Sequence, residues 1–145
     1  MDISNWDLMT EHDFDLGGQL TGMGYGRQGN EILEWSIAPI EVPAIYLITI
    51  DGEIPKVGKA EKFNTRTSQY AYWRLPNKVT GKIRKQDGEH NKLMDEMADG
   101  TDVQIYFKEF GKLVYCPILQ KEVYESPNLF EYEVFYKKLF GARYA

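Results

Sequence analysis

In the stretch AIYLITIDGEIPKVGKA, residues 44–60, two lysines, Lys56 and Lys59, close on a glycine. Tyr46 precedes them, and Arg66 and Tyr70 follow at an i, i+4 spacing that puts both on one face of a helix. Lysines on an edge strand discourage sheet-to-sheet aggregation, which accounts for the pair without any ligand. The other account is an anion: a glycine lets backbone approach it, and cations beside the glycine supply the charge. Far along the chain, Glu133 lies in the run SPNLFEYEVFYKKLFG. On a helix it falls within about 60° of Leu129, Tyr136 and Phe140, whereas Glu131 points the opposite way. A carboxylate on an apolar stripe needs a partner, because burying it ionised and alone costs several kcal/mol. A core-edge arginine would meet that need, and so would a metal ion. Two tyrosines, a lysine, an arginine and one carboxylate form a set able to cleave a phosphodiester. One carboxylate with phosphate oxygens or waters suits Mg²⁺, which keeps several waters and takes few protein ligands.

These residues need elements to hold them. AIYLITI and IPKVG flank Asp51-Gly52, which predicts a β-hairpin. KFNTRTSQYAYWR has no proline and repeats Phe63, Tyr70 and Trp73 at helical spacing, with Pro76 as its stop. A polar, helical stretch runs on to Asp99-Gly100, then VQIYFKEF reads as a strand and KLVYCPIL as another. For the last helix, Ser126 is a suitable N-cap, Pro127 fits the first helical position, and Gly141 the stop. Residues 1–43, acidic and containing several glycines, read as an extension too short for a core of its own. Residues 44–145 read as the main domain.

The totals set bounds. A chain of 145 residues with 43% hydrophobic and 27% charged residues fits one ordinary globular domain. No 18-residue apolar run is present, so no membrane span is expected, and the acidic start MDISNWDLMTEHDFD has no signal-peptide pattern. The single cysteine, Cys116, excludes an internal disulfide and fits a reducing, cytoplasmic setting. Only His12 and His90 accompany it, too few for a zinc site of the usual kind. The net charge of −5 hides a segregation. Segment 56–92 carries ten bases against three acids, and the remainder seven against nineteen. Because charges act over a Debye length of about 8 Å at physiological salt, the basic segment can hold a polyanion although the whole protein is acidic. Lys59, Lys62, Arg74, Lys78, Lys82, Arg84 and Lys85 are the expected nucleic-acid contacts, the other account being a solvated helix face. GYGRQG at 24–29 matches G-x-G-x-x-G, with Asp51 at about the distance a dinucleotide fingerprint wants. No convincing strand precedes it, and the space before Pro39 is too short for a crossover helix, so a glycine-rich hairpin or loop is expected.

With these residues in place, the sequence resembles the GIY-YIG nucleases. Ala44-Ile45-Tyr46 looks like the first half of their motif and Lys56-Val57-Gly58 like the second. The stretch KVGKAEKFNTRTSQY is similar to the nuclease domain of the bacterial excision-repair incision subunit, with an arginine and a tyrosine at the offsets of Arg66 and Tyr70. The C-terminal LFEYEVFYKKLFGARYA resembles the family's last helix, whose glutamate aligns with Glu133. Ala44 stands where the family has its first glycine and Lys56 where it has the second tyrosine, and the terminal asparagine falls on Ala145.

The resemblance implies a small α/β (α+β) fold, with a three-stranded central sheet flanked by helices. It also implies a DNA endonuclease using one divalent ion, Mg²⁺ or Mn²⁺, held by Glu133. Tyr46 would orient or deprotonate the attacking water. Arg66 would hold the scissile phosphate, and Tyr70 would hydrogen-bond the phosphate or the water. Lys56 would act either as a neutral base or as a charged phosphate contact, and a partly wet hairpin rim favours the charged form. Cutting both strands of a duplex with one site per chain implies a homodimer or two encounters. Two other readings stand beside the nuclease. One is a nucleic-acid-binding module of the same fold with weak or no catalysis, motivated by Lys56 and the lost asparagine. The other is a protein-interaction or inhibitory protein that uses the acidic residues 1–43.

Overall fold

The apolar run AIYLITI forms β3 (Ala44–Ile50) and turns directly into β4 (Glu53–Ala60). Asp51 and Gly52 both have positive φ, 47° and 95°, which this tight hairpin turn requires and which Asp-Gly supplies. The Asp51 carboxylate accepts from the N–H of Thr101 at 3.0 Å and of Asp102 at 2.6 Å. Those bonds tie the turn to the start of β5 (Val103–Glu109), which pairs antiparallel with the whole of β3. The computed structural model describes residues 3–26, 31–71, 89–125 and 128–144.

The central sheet has five strands, not the three expected. β1 (Asp15–Tyr25) and β2 (Glu31–Ile37) join it, in the order β2-β1-β5-β3-β4, with every neighbouring pair antiparallel. Four glycines in β1 hide its strand character, because glycine has no side chain to pack and lowers strand propensity. Pairing on both sides overrides that, and the register shifts at Leu16/Gly18 and Leu20/Gly22 absorb the irregularity. The GYGRQG motif accordingly sits at the β1–β2 connection: Gly24 lies in β1, and Gly29 falls outside the described residues.

Helices cover both faces of the sheet. On one, Tyr46 and Ile48 pack with Phe63, Tyr70, Leu93, Met94 and Met97. On the other, Ile45, Leu47 and Val57 pack with Met9, Leu129, Tyr136 and Phe140. This double burial is why β3 reads as a continuous apolar run instead of an alternation. The first face carries α2 (Phe63–Thr67), a 3₁₀ turn (Ser68–Ala71) and α3 (Glu89–Asp99). The second carries α1 (Ile3–Glu11) and α4 (Leu129–Phe140). Trp73 and Pro76, expected to finish the helix after the hairpin, lie outside the described residues. α4 starts later than a Ser126 cap would give: Asn128, with extended backbone, is its N-cap, and Ser126 and Pro127 lie outside the described residues. Gly141 ends it at φ 66°, its N–H bonded to the Lys137 carbonyl, as its place in the sequence predicts. KLVYCPIL supplies β6 (Lys112–Cys116), whose partner β7 (Lys121–Glu125) completes a separate two-stranded hairpin. Among the described residues no helix is long and apolar enough to cross a membrane.

Candidate active site

Tyr46 and Gly58 face each other across the β3–β4 ladder. A Cβ at position 58 would overlap the Tyr46 ring, so the glycine of K-V-G is there to let the tyrosine lie across β4. The Tyr46 hydroxyl then meets that of Tyr70 at 2.7 Å, with both rings buried and their centroids 5.9 Å apart. Burial pushes the Tyr46 phenol well above its ordinary value, and Tyr70 adds to this while Arg66 opposes it. Burial also raises Tyr70, against the hydrogen bond it shares with Tyr46. Both phenols are therefore neutral at physiological pH, able to donate or accept a hydrogen bond.

The loop before β3 and strand β2 fix the segment that carries Arg66 and Tyr70. Phe63 N–H donates to the Val42 carbonyl at 3.1 Å and Asn64 N–H to Ile40 at 3.0 Å. The Asn64 amide reaches the Ala38 carbonyl at 3.1 Å, and Glu41 accepts from the Thr65 N–H at 2.7 Å and from its hydroxyl. The Trp35 indole N–H holds the Tyr70 carbonyl at 3.0 Å. These bonds satisfy amides of the first helical turn and so substitute for a side-chain N-cap, which α2 lacks. Arg66 is thereby presented at the surface, and Tyr70 is turned inward.

Lys56 is half-buried on edge strand β4, against which α4 packs. Burial lowers its ammonium below the ordinary lysine value, and the charge of Lys137 lowers it further. Glu133 and Glu89 oppose that shift. Glu133 keeps 13% side-chain exposure, as its position on the apolar stripe of α4 implies, and pairs with Lys137 at 3.4 Å. Its partner is thus a lysine one turn away, not the core-edge arginine considered from the sequence. Its charge also acts on Tyr70, so this carboxylate stands near both Lys56 and the tyrosine pair, and Glu89 acts on Lys56 as well.

Lys56, Arg66 and Tyr70 line one cavity of about 380 Å³, together with Glu89 and with Gln69, His90 and Tyr144. The last three were not singled out from the sequence. Gln69 is three residues after Arg66, so helical spacing alone could have placed it here. His90 stacks on Tyr70, centroids 5.9 Å apart, and no local pattern announces that contact. Tyr144 arrives by a long-range link: its N–H donates to the Pro55 carbonyl at 3.0 Å and it bridges Lys56. This anchors the C-terminal segment to β4 one residue before Ala145, where the family pattern has its asparagine. Of the expected nucleic-acid contacts, Lys59 and Lys62 are exposed beside Arg66. Arg74, Lys78, Lys82, Arg84 and Lys85 lie outside the described residues.

A divalent ion fits this donor set through few protein ligands. Among the described residues no group of three or more His, Cys, Asp or Glu could cage a metal. Glu133, whose charge reaches Lys56 and Tyr70, and Glu89, which lines the cavity, offer hard carboxylates that suit an Mg²⁺-type ion taking its remaining ligands from water and phosphate.

No family model matches the chain, and no curated protein matches its sequence. Solved structures do resemble it. A mutant of bacteriophage T4 EndoII matches at 16% identity and a TM-score of 0.61, over 97% of both chains. The restriction endonuclease HPY188I, in complex with product DNA, matches at 15% identity and a TM-score of 0.51, over 97% of this chain and 79% of that one. The protein therefore has the mixed α+β fold of EndoII and of a restriction endonuclease.

Proposed function

We propose that this protein is a metal-dependent DNA endonuclease that hydrolyses phosphodiesters by a GIY-YIG-type mechanism. The observation that carries this reading is the convergence of Lys56, Arg66 and Tyr70 on one cavity, backed by Tyr46 and flanked by Glu133. The fold it shares with two nucleases adds support. DNA is the substrate because it was the ligand of one neighbour and because Lys59 and Lys62 extend the cation surface beyond Arg66.

Arg66 holds the scissile phosphate and stabilises the charge that grows on its oxygens. The neutral Tyr46–Tyr70 hydroxyl pair orients the attacking water. Lys56, in the neutral amine form that burial and the charge of Lys137 favour, takes the water's proton as the new P–O bond forms and the bond to the leaving oxygen breaks. The leaving oxygen recovers a proton from solvent. Glu133 would hold one Mg²⁺ or Mn²⁺, which would supply charge neutralisation on the phosphate and the leaving oxygen.

Incubation with supercoiled DNA tests the reading. Wild type should nick or linearise it with Mg²⁺ or Mn²⁺ and leave it intact in EDTA. Glu133→Ala and Arg66→Ala should each cut at least about 10²-fold more slowly while keeping the wild-type circular dichroism spectrum. A Glu133→Ala protein that cuts as fast as wild type would end the assignment.

A further inference from the structure

A second and larger cavity adjoins the candidate active site. It encloses about 730 Å³ and shares Arg66 and Gln69 with the first, so the two meet at the phosphate-binding arginine. Its wall brings together Lys59, Lys62, the amide of Asn128 and the ring of Phe130, with Glu61 as the one acid in the lining. The Lys59 ammonium lies 5.3 Å from the centre of the Phe130 ring, which steadies the ring by a cation–π contact. The ring stays 57% exposed at the start of α4, so its open face can take a flat ligand. Flat aromatic surface, cations and amides side by side match the parts of one nucleotide: a base to stack, a phosphate to neutralise, and a base edge with donors and acceptors.

We propose that this cavity holds a single unstacked nucleotide next to the phosphate bound by Arg66. Its base lies on Phe130, its phosphate between Lys59 and Lys62, and its edge within reach of Asn128 and Gln69. The preferred substrate is then DNA with an unpaired or easily unpaired nucleotide beside the cleavage point, not a uniformly stacked duplex. The inference deepens the nuclease reading and rests on it for the role of Arg66. The affinity of the cavity for a nucleotide, however, is measurable without catalysis.

Three DNA probes of equal length carry 2-aminopurine in a paired position, in a single-nucleotide bulge, or in a single strand. Binding is measured by fluorescence in EDTA, with wild type, Phe130→Ala and Phe135→Ala. Phe135 is a matched control, another exposed phenylalanine on α4 that does not line the cavity. Wild type should bind the bulged and single-stranded probes roughly 5- to 100-fold more tightly than the paired one and quench their fluorescence, as stacking on an aromatic side chain does. Phe130→Ala should lose the preference and the quenching, and Phe135→Ala should keep both. Equal affinity for all three probes, or an unchanged preference in Phe130→Ala, overturns the proposal. Displacement of the bulged probe by free deoxyadenosine monophosphate at an affinity equal to its own also overturns it, since the cavity would then take a free nucleotide. Nicking of supercoiled DNA is run in parallel. If wild type cuts but shows no bulge preference, the cavity assignment falls alone; if it prefers the bulge but never cuts, the nuclease reading falls and the nucleotide site stands.

Discussion

At the scale of single residues, the question posed by Lys56 is its charge when water attacks. A hairpin rim is expected to be wet and to keep the lysine charged, but here α4 closes over the edge strand and half-buries it. Desolvation comes first among the effects that lower its ammonium, with Lys137 second; Glu133 and Glu89 pull the other way. The phenol of Tyr46 moves upward instead, so at neutral pH it is a poor base while Lys56 becomes a better one. A lysine works as a base only when neutral, so the rate should rise with pH along a limb set by Lys56, at a pH below that of an ordinary lysine. Lys56→Met should remove this limb and lower kcat by about 10²- to 10⁴-fold. A pH–rate profile of both proteins under saturating Mg²⁺ checks this. A wild-type limb that survives in Lys56→Met would take the lysine out of proton transfer and leave it as a charge on the phosphate.

At the scale of elements, legibility in the sequence followed the range of the interactions. The β3–β4 hairpin was readable because Asp51-Gly52 is local turn chemistry, and Glu133 because helical periodicity singles out a carboxylate among apolar neighbours. The glycine-rich hairpin considered for GYGRQG is the β1–β2 connection, but the reach of β1 into the central sheet was not readable, because its pairing with β2 and β5 overrides its four glycines. His90 and Tyr144 reach the site through contacts distant in sequence, for which no spacing rule exists. The glycine of K-V-G is intermediate: the sequence suggested room for a ligand, whereas the structure gives that room to the Tyr46 ring. Gly58→Ala should therefore act on the tyrosine pair and not only on substrate approach. We expect a loss of about 1–3 kcal/mol from overpacking, read as a lower urea midpoint, together with loss of cleavage. In a Tyr46→Ala background, itself destabilised by loss of a buried ring, adding Gly58→Ala should cost less than it does in wild type, because the atoms it would meet are gone. If Gly58→Ala alone is as stable as wild type, the close packing of Tyr46 over β4 is not what requires the glycine.

At the scale of the whole molecule, charge and fold divide the chain differently. By charge, residues 1–43 look like a separable acidic segment, with eight acids and one base. By structure, residues 15–37 contribute two strands to the sheet, β1 pairs directly with β5, and the match to EndoII spans 97% of this chain. The segment also supplies the carbonyls of Ala38, Ile40 and Val42, the Glu41 carboxylate and the Trp35 indole that hold the Arg66–Tyr70 segment in place. Removing residues 1–43 would leave β5 as a bare edge beside the apolar β3 and strip Leu33 and Val42 from the core. The shortened chain, 44–145, should consequently be poorly soluble, lack a cooperative thermal transition, and neither bind nor cut DNA. An acidic segment that merely competes with nucleic acid makes the opposite prediction: its deletion would leave a folded remainder that binds DNA more tightly. Thermal unfolding and DNA titration of the full and shortened chains separate the two. Trp35→Phe isolates the positioning effect from the loss of the sheet, because it removes one hydrogen bond to the Tyr70 carbonyl, worth about 0.5–1.5 kcal/mol, and leaves the strand. If β2 positions the site, that variant should keep its fold and its DNA affinity while kcat falls; an unchanged kcat would mean that the N-terminal strands serve stability alone.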